Sequence, residues 1–165
     1  MTILENLKTL TEKSEQNLKT GTEQIRYELA RKGLTKTPSG AEQYLEQSVK
    51  LLTNEVLDIL AEVRSFISKP KEWELIRSSM NGFIDTQYDA FYDFLVNNWQ
   101  QPSSQVTSQL LSLKASILRE SHSYIDRQKI KLSKGEQLLN DMVKIFYCGL
   151  AAGIVGFLIR LLFSR

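Results

Sequence analysis

The sequence predicts an all-α protein: a bundle of about four long amphipathic helices followed by a C-terminal transmembrane helix. Three observations support this fold class. Prolines occur at equal intervals, at Pro38, Pro70 and Pro102, and proline ends helices. Apolar residues recur at helical spacing between the prolines. Residues 145–163 then form an apolar run that contains a single charge.

The prolines divide residues 1–134 into helical units, and residues 135–165 form a separate juxtamembrane and anchor region. Ser133 and Glu136 have the spacing of a capping box, and Gly135 lies between them. Because a capping box marks the start of a helix, this pattern predicts a helix break near Lys134 and Gly135. The four expected units cover residues 2–33, 39–69, 71–101 and 103–132.

The first unit carries a thin apolar stripe. Leu7, Leu18 and Leu29 lie along one line of the helix, because a repeat of 11 residues corresponds to about 3.67 residues per turn. Ser14 interrupts the stripe, so we expect this helix to need another surface on which to pack. Gly33 is expected to end the helix.

The second unit contains a heptad seam. Pro38, Ser39 and Glu42 predict a capping box at its start. Apolar positions then alternate at spacings of four and three, a pattern that packs against another helix. The seam is therefore either part of the bundle or a surface for a protein partner. Its residues are Val49, Leu52, Val56, Ile59, Val63 and Phe66.

The third unit is rich in aromatic residues, and two interpretations remain open. The rings either fill the core of a bundle, or some of them insert into a lipid interface or a partner groove. Asn81 and Gly82 lie within the unit and predict a kink. The aromatic residues are Trp73, Phe83, Tyr88, Phe91, Tyr92, Phe94 and Trp99.

Composition excludes several function classes. The chain of 165 residues has 21 basic and 19 acidic side chains, for a net charge of +2, which argues against a nucleic-acid partner. One cysteine and one histidine leave too few ligands for a zinc site or a disulfide framework. His122 is expected to be a surface side chain. We therefore expect no metal, no cofactor and no enzymatic activity.

The fourth unit ends in a basic stretch, and two further cations flank the apolar run. Basic side chains close to an anionic bilayer bind it electrostatically, although such a stretch can also be a solvated connector. The residues expected to contact lipid are Arg127, Lys129, Lys131, Lys134, Lys144 and Arg160.

Residues 145–163 match the length of a hydrocarbon core, for which about 20 apolar residues are needed. The alternative is a buried helix of a soluble protein. Within the run, small residues four positions apart predict close contact with a second copy or a partner helix, although such residues are also common in membrane helices. They are Gly149, Ala152, Gly153 and Gly156.

A span at this position predicts a tail-anchored protein whose body faces the cytosol. The run is short and moderately apolar and has basic residues on both sides, and thinner bilayers suit shorter spans. These features favour the mitochondrial outer membrane, with the endoplasmic reticulum, lipid droplets or peroxisomes as alternatives.

Proline-separated amphipathic helices of about 30 residues with an 11-residue stripe resemble three families: exchangeable apolipoproteins, perilipins and apolipoprotein-O-like proteins. The resemblance is one of pattern, covers residues 1–134 and includes no residue-by-residue signature. It implies a protein that binds or organises a lipid surface, such as a bilayer or a lipid droplet. The alternative function is a tail-anchored adaptor whose bundle recruits a protein partner.

Overall fold

A computed structural model describes the backbone of residues 2–163 and the side chains of residues 2–145. Over these residues the chain forms helices and no strand. The four α-helices are α1 (Ile3–Arg31), α2 (Pro38–Val63), α3 (Glu72–Asp93) and α4 (Ser103–Phe163). A 3-10 turn, Arg64–Phe66, extends α2, and a π-helical turn, Phe94–Asn98, extends α3. The predicted all-α bundle is confirmed.

The three prolines lie at helix boundaries, as the sequence predicts. Pro38 is the first residue of α2, Pro70 precedes α3, and Pro102 directly precedes α4. The capping box predicted at Ser39 and Glu42 is wrong. Thr37 caps α2 instead, and its hydroxyl accepts a hydrogen bond from the Gly40 N–H at 3.0 Å. Proline favours the first helical position, so the residue before it becomes the cap.

The bundle is built from two antiparallel pairs. α1 packs on α2, α3 packs on α4, and α2 also contacts both α3 and α4. Ser14 near the middle of α1 donates a hydrogen bond to Glu55 of α2. Lys129 of α4 is bonded to Glu74 in the first turn of α3. Short loops between neighbouring helices produce this arrangement.

The thin stripe of α1 faces the core. Leu7, Leu18 and Leu29 are at most 2% exposed, which confirms that the 11-residue repeat follows one face of the helix. Ser14 is also buried, whereas Ile25 is only partly buried. α1 therefore packs on α2 through few apolar side chains.

Five of the seven aromatic residues of the third unit are buried in the bundle, and Tyr92 and Phe94 are partly buried against its core. Trp73, at the start of α3, is completely buried. At the opposite end of α3, the centre of the Tyr44 ring lies 4.8 Å from the centre of the Phe94 ring and 5.6 Å from that of the Trp99 ring. Such tilted aromatic pairs add to the stability gained from burial. The core interpretation of this unit is confirmed.

The helix break predicted near Lys134 and Gly135 is wrong, whereas the kink predicted at Asn81 and Gly82 stays a prediction. α3 continues through Asn81 and Gly82, and α4 continues through Lys134 and Gly135 without a break. An isolated glycine costs a helix only about 1 kcal/mol. A helix stop needs glycine in the left-handed conformation, which Gly33 adopts at φ 69°. The fourth unit and the anchor region are therefore one helix.

Substitution of two glycines by alanine is expected to have opposite effects on stability. A Cβ at Gly40 would lie 1.9 Å from the Leu34 carbonyl oxygen, whereas a Cβ at Gly82 meets nothing within 4 Å. Gly82→Ala should raise the free energy of unfolding by about 0.5 to 1 kcal/mol. Gly40→Ala should lower it by about 1 to 3 kcal/mol. Urea denaturation in mild detergent, followed by tryptophan fluorescence, measures both; equal effects would contradict the packing around Gly40.

Candidate functional site

The heptad seam of α2 forms part of the bundle core. Val49, Leu52, Val56, Ile59 and Val63 are between 0% and 8% exposed. The seam is therefore covered by the other helices of the same chain. Phe66 does not belong to it, because the side chain is 47% exposed. The α-helix ends at Val63 and the backbone becomes extended at Ile67, so Ile67 closes the core at this end.

Alanine substitutions distinguish these two classes of seam residue. Leu52→Ala should lower the free energy of unfolding by about 2 to 5 kcal/mol, since it leaves a cavity in the core. Phe66→Ala should change it by less than about 1 kcal/mol, because the ring is half exposed. Urea denaturation of the full chain compares the variants. A large loss for Phe66→Ala would show that its ring packs in the core.

The basic stretch at the end of the fourth unit divides into two groups. Lys129 forms an ion pair with Glu74, and the hydrogen bond from Lys129 lowers the pKa of Glu74. The neighbouring Asp126 pairs with Arg77 of α3. Lys131 and Lys134 are exposed. The ammonium group of Lys129 is thus held on α3, whereas Lys131 and Lys134 face solvent.

The remaining residues expected to contact lipid or a membrane helix lie further along α4. Lys144 is exposed, and its Nζ lies 3.8 Å from the Asp141 carboxylate. Arg127 is exposed, and its Nε donates to the Ser123 carbonyl oxygen at 3.1 Å. Five residues lie outside the part of the chain whose side chains the structure describes: Gly149, Ala152, Gly153, Gly156 and Arg160.

An exposed apolar face follows the last bundle contact of α4. Every side chain from residue 133 to residue 145 is exposed, because α1, α2 and α3 do not extend beside this part of α4. The apolar side chains are between 46% and 72% exposed and follow one another at helical spacing. They are Leu138, Leu139, Met142, Val143 and Ile145.

The connection between α2 and α3 ends in a locally ordered turn. The Glu72 carboxylate accepts hydrogen bonds from the backbone N–H groups of Ser68 and Lys69, both at 2.9 Å. The bond from the Lys69 N–H, followed by that from Ser68, lowers the pKa of Glu72. Lys69 and Lys71 point into solvent beside this turn. The sequence Lys-Pro-Lys could have indicated an exposed basic turn here.

This turn predicts a specific pH dependence. Because the pKa of Glu72 is lower in the folded state than its ordinary value of about 4.3, its contribution to stability is present above that value. The contribution is lost as the pH falls through the lowered pKa. The urea midpoint of the natural chain should therefore fall more between pH 7 and 3 than that of Glu72→Gln.

Glu42→Gln, at an exposed position of α2, is the control for this experiment and should follow the natural chain. Parallel curves for the natural chain and Glu72→Gln would show that the turn does not depend on the charge of this carboxylate.

Two polar contacts between helices have structural roles. Ser14 and Asn17 of α1 both donate to the Glu55 carboxylate. His122 was expected at the surface, but it is half-buried, and its Nε2 lies 2.9 Å from Asn81 Oδ1. The sequence could not show this contact, because it depends on the register of α3 against α4.

A groove of about 220 Å³ lies between α1 and α3. The Arg26 guanidinium stacks 4.6 Å from the centre of the Phe94 ring, and its Nε donates to the Thr22 carbonyl oxygen. Burial raises the pKa of Tyr44 beside it. These polar groups stabilise the packing of the helices that line the groove. Among the residues that the structure describes, no three His, Cys, Asp or Glu side chains are grouped as a metal site would require.

Comparisons with known proteins leave the chain without a family. No family model, no curated protein and no solved structure matches it. Within residues 2–145, whose side chains the structure describes, no helical segment is both long and apolar enough to cross a membrane, and the predicted span at 145–163 lies almost wholly outside this range.

Proposed function

We propose that this chain is a non-enzymatic membrane-anchored protein whose helical bundle acts at a lipid surface. The observation that supports this proposal is the continuity of α4. The helix leaves the bundle after Leu132 and continues without a break to Phe163, through the apolar run at 145–163. An anchor of this form holds the bundle close to one side of a bilayer.

The length of the apolar run supports the proposed anchor. Nineteen helical residues at about 1.5 Å each span roughly 28 Å, close to the thickness of a hydrocarbon core. Lys144 directly precedes the run and Arg160 is the charge near its far end, and long basic side chains at such positions can extend to the interfaces. The short run and its basic flanks favour the mitochondrial outer membrane over thicker membranes.

The lipid surface is the first partner that we propose. Lys131 and Lys134 are exposed near the point where α4 leaves the bundle, and each basic residue near an anionic surface gains roughly 1 kcal/mol. Association of the apolar run with a second copy or a partner helix through Gly149 and Gly153 is a second proposal.

An adaptor function is the alternative, and burial of the seam limits its form. Leu52 and Val56 of the seam are at most 1% exposed, as is Trp73 of the aromatic unit. A protein partner that bound a closed bundle would therefore contact its outer surface, where Tyr27 and Leu111 are exposed.

A charge placed within the apolar run tests the proposed anchor. Val155→Arg should abolish resistance of the full chain to carbonate extraction, since a central arginine costs roughly 2.5 to 3.5 kcal/mol on insertion. Gln105→Arg, at an exposed position in the first turn of α4, is the matched control and should remain in the membrane pellet. Extraction of the unsubstituted chain by carbonate would refute the anchor. Where the unsubstituted chain stays in the pellet, fluorescence microscopy of the full chain identifies the organelle whose membrane holds it.

A further inference from the structure

We propose that the end of the bundle from which α4 leaves rests on an anionic bilayer surface. This basal end consists of the start of α1, the α2–α3 connection at 64–71, the start of α3 and the segment 129–134 of α4. The inference rests on the proposed function, because it requires the apolar run of α4 to be inserted in the same bilayer. It names the surface of the bundle that the lipid contacts.

Contacts between helices place these segments at one end. Lys129 bonds to Glu74 in the first turn of α3, and the α2–α3 connection directly precedes that turn. α1 runs antiparallel to α2, with Ser14 and Asn17 beside Glu55. The start of α1 therefore lies beside the end of α2 and next to the same connection.

The continuity of α4 sets the distance between the basal end and the bilayer. Among the side chains that the structure describes, Leu132 is the last half-buried one of α4, and the apolar run begins at residue 145. Thirteen residues at about 1.5 Å each place these two positions roughly 20 Å apart. A headgroup layer is about 5 to 7 Å thick on each side. Because this distance exceeds the headgroup layer, α4 must tilt from the bilayer normal, as membrane helices commonly do, for the basal end to reach the headgroups.

The exposed charge at the basal end complements an anionic surface. Of the carboxylates at this end, Glu74 and Asp126 form ion pairs, whereas Glu72 and Glu5 accept backbone N–H groups and keep their negative charge. Glu62 and Glu136 remain exposed. The four carboxylates without an ion pair are outnumbered by five exposed cations that form no ion pair within the described residues. These cations are Arg64, Lys69, Lys71, Lys131 and Lys134.

Exposed apolar side chains accompany these cations. Phe66 and Leu75 come from the α2–α3 region, Ile130 from α4 and Leu4 from α1, and they are between 47% and 56% exposed. Apolar and aromatic side chains next to lysines are typical of surfaces that bind the headgroup region. Phe66, which the core does not cover, would then insert between headgroups.

Site-directed fluorescence on the anchored full chain tests this inference. In a Cys148→Ser background, a fluorophore is attached to the single thiol that each of two substitutions introduces. Ser68→Cys places it at the basal end, and Thr35→Cys places it on the α1–α2 loop at the opposite end. Each labelled protein is reconstituted into phosphatidylcholine vesicles with or without phosphatidylserine, and headgroup spin-labelled lipid is the quencher. We expect strong quenching at position 68 with phosphatidylserine, little at position 35, and a loss of the difference in high salt.

Matched charge reversals identify the cations. One lysine near an anionic surface shifts a docking equilibrium roughly fivefold. Lys69→Glu with Lys71→Glu should therefore reduce quenching at position 68 by at least about fivefold. Lys32→Glu with Lys36→Glu makes the same charge change at the opposite end and should leave quenching unchanged. Circular dichroism shows whether each variant retains its helices. Phe66→Ser, which leaves the charge unchanged, should also reduce quenching at position 68.

The outcomes separate this inference from the proposed anchor. Carbonate extraction of the same vesicles reports insertion, so a chain that is extracted refutes the anchor itself. A chain that stays inserted with equal quenching at positions 68 and 35 refutes docking of the basal end. Energy transfer between labels at position 68, without quenching by lipid, would show that a second copy covers this surface and would also overturn the inference.

Discussion

The rest of the structure depends on burial of the apolar seam of α2. This helix contacts α1, α3 and α4, and Leu52 of the seam, near the middle of the helix, is completely buried. Burial of one such side chain contributes about 1.5 to 3 kcal/mol. α1 adds few apolar residues of its own, so its position depends on α2. Loss of the α2 seam would therefore separate α1 from the bundle as well as open the core.

The polar contacts between α3 and α4 fix the register of the two helices and contribute little to the free energy of unfolding. Lys129 pairs with Glu74, Arg77 with Asp126, and Lys114 with Asp85, where the two atoms are 2.8 Å apart. Ion pairs this exposed contribute little to stability, because solvent screens the charges. A shift of one helix along the other would break all of them together. The same register brings the end of the bundle-packed part of α4 beside the start of α3, and so defines the basal end.

Features that repeat along the chain could be predicted from the sequence, whereas local motifs were less reliable. The prolines, the 11-residue stripe and the α2 seam predicted four packed helices because periodicity reports which face is buried. The capping boxes predicted at Ser39 and Ser133 are wrong. Thr37 directly precedes Pro38 and caps α2 in place of Ser39. At Ser133 no new helix begins, because continuing α4 through Gly135 costs little free energy. The basal end could not be predicted, because it joins segments that are distant in sequence and depends on which carboxylates are already paired.

The thin stripe of α1 also bears on how the bundle acts at a lipid surface. If the bundle opened, α1 would have to exchange its contacts with α2 for contacts with lipid. Leu7, Leu18 and Leu29 are its fully buried apolar residues, and Ser14 between them is bonded to Glu55. A helix with so few apolar residues gains little from an interface, and opening would also release a buried hydrogen bond. A closed bundle that contacts lipid through its basal end keeps the core intact, and this arrangement is the one that the packing of α1 favours.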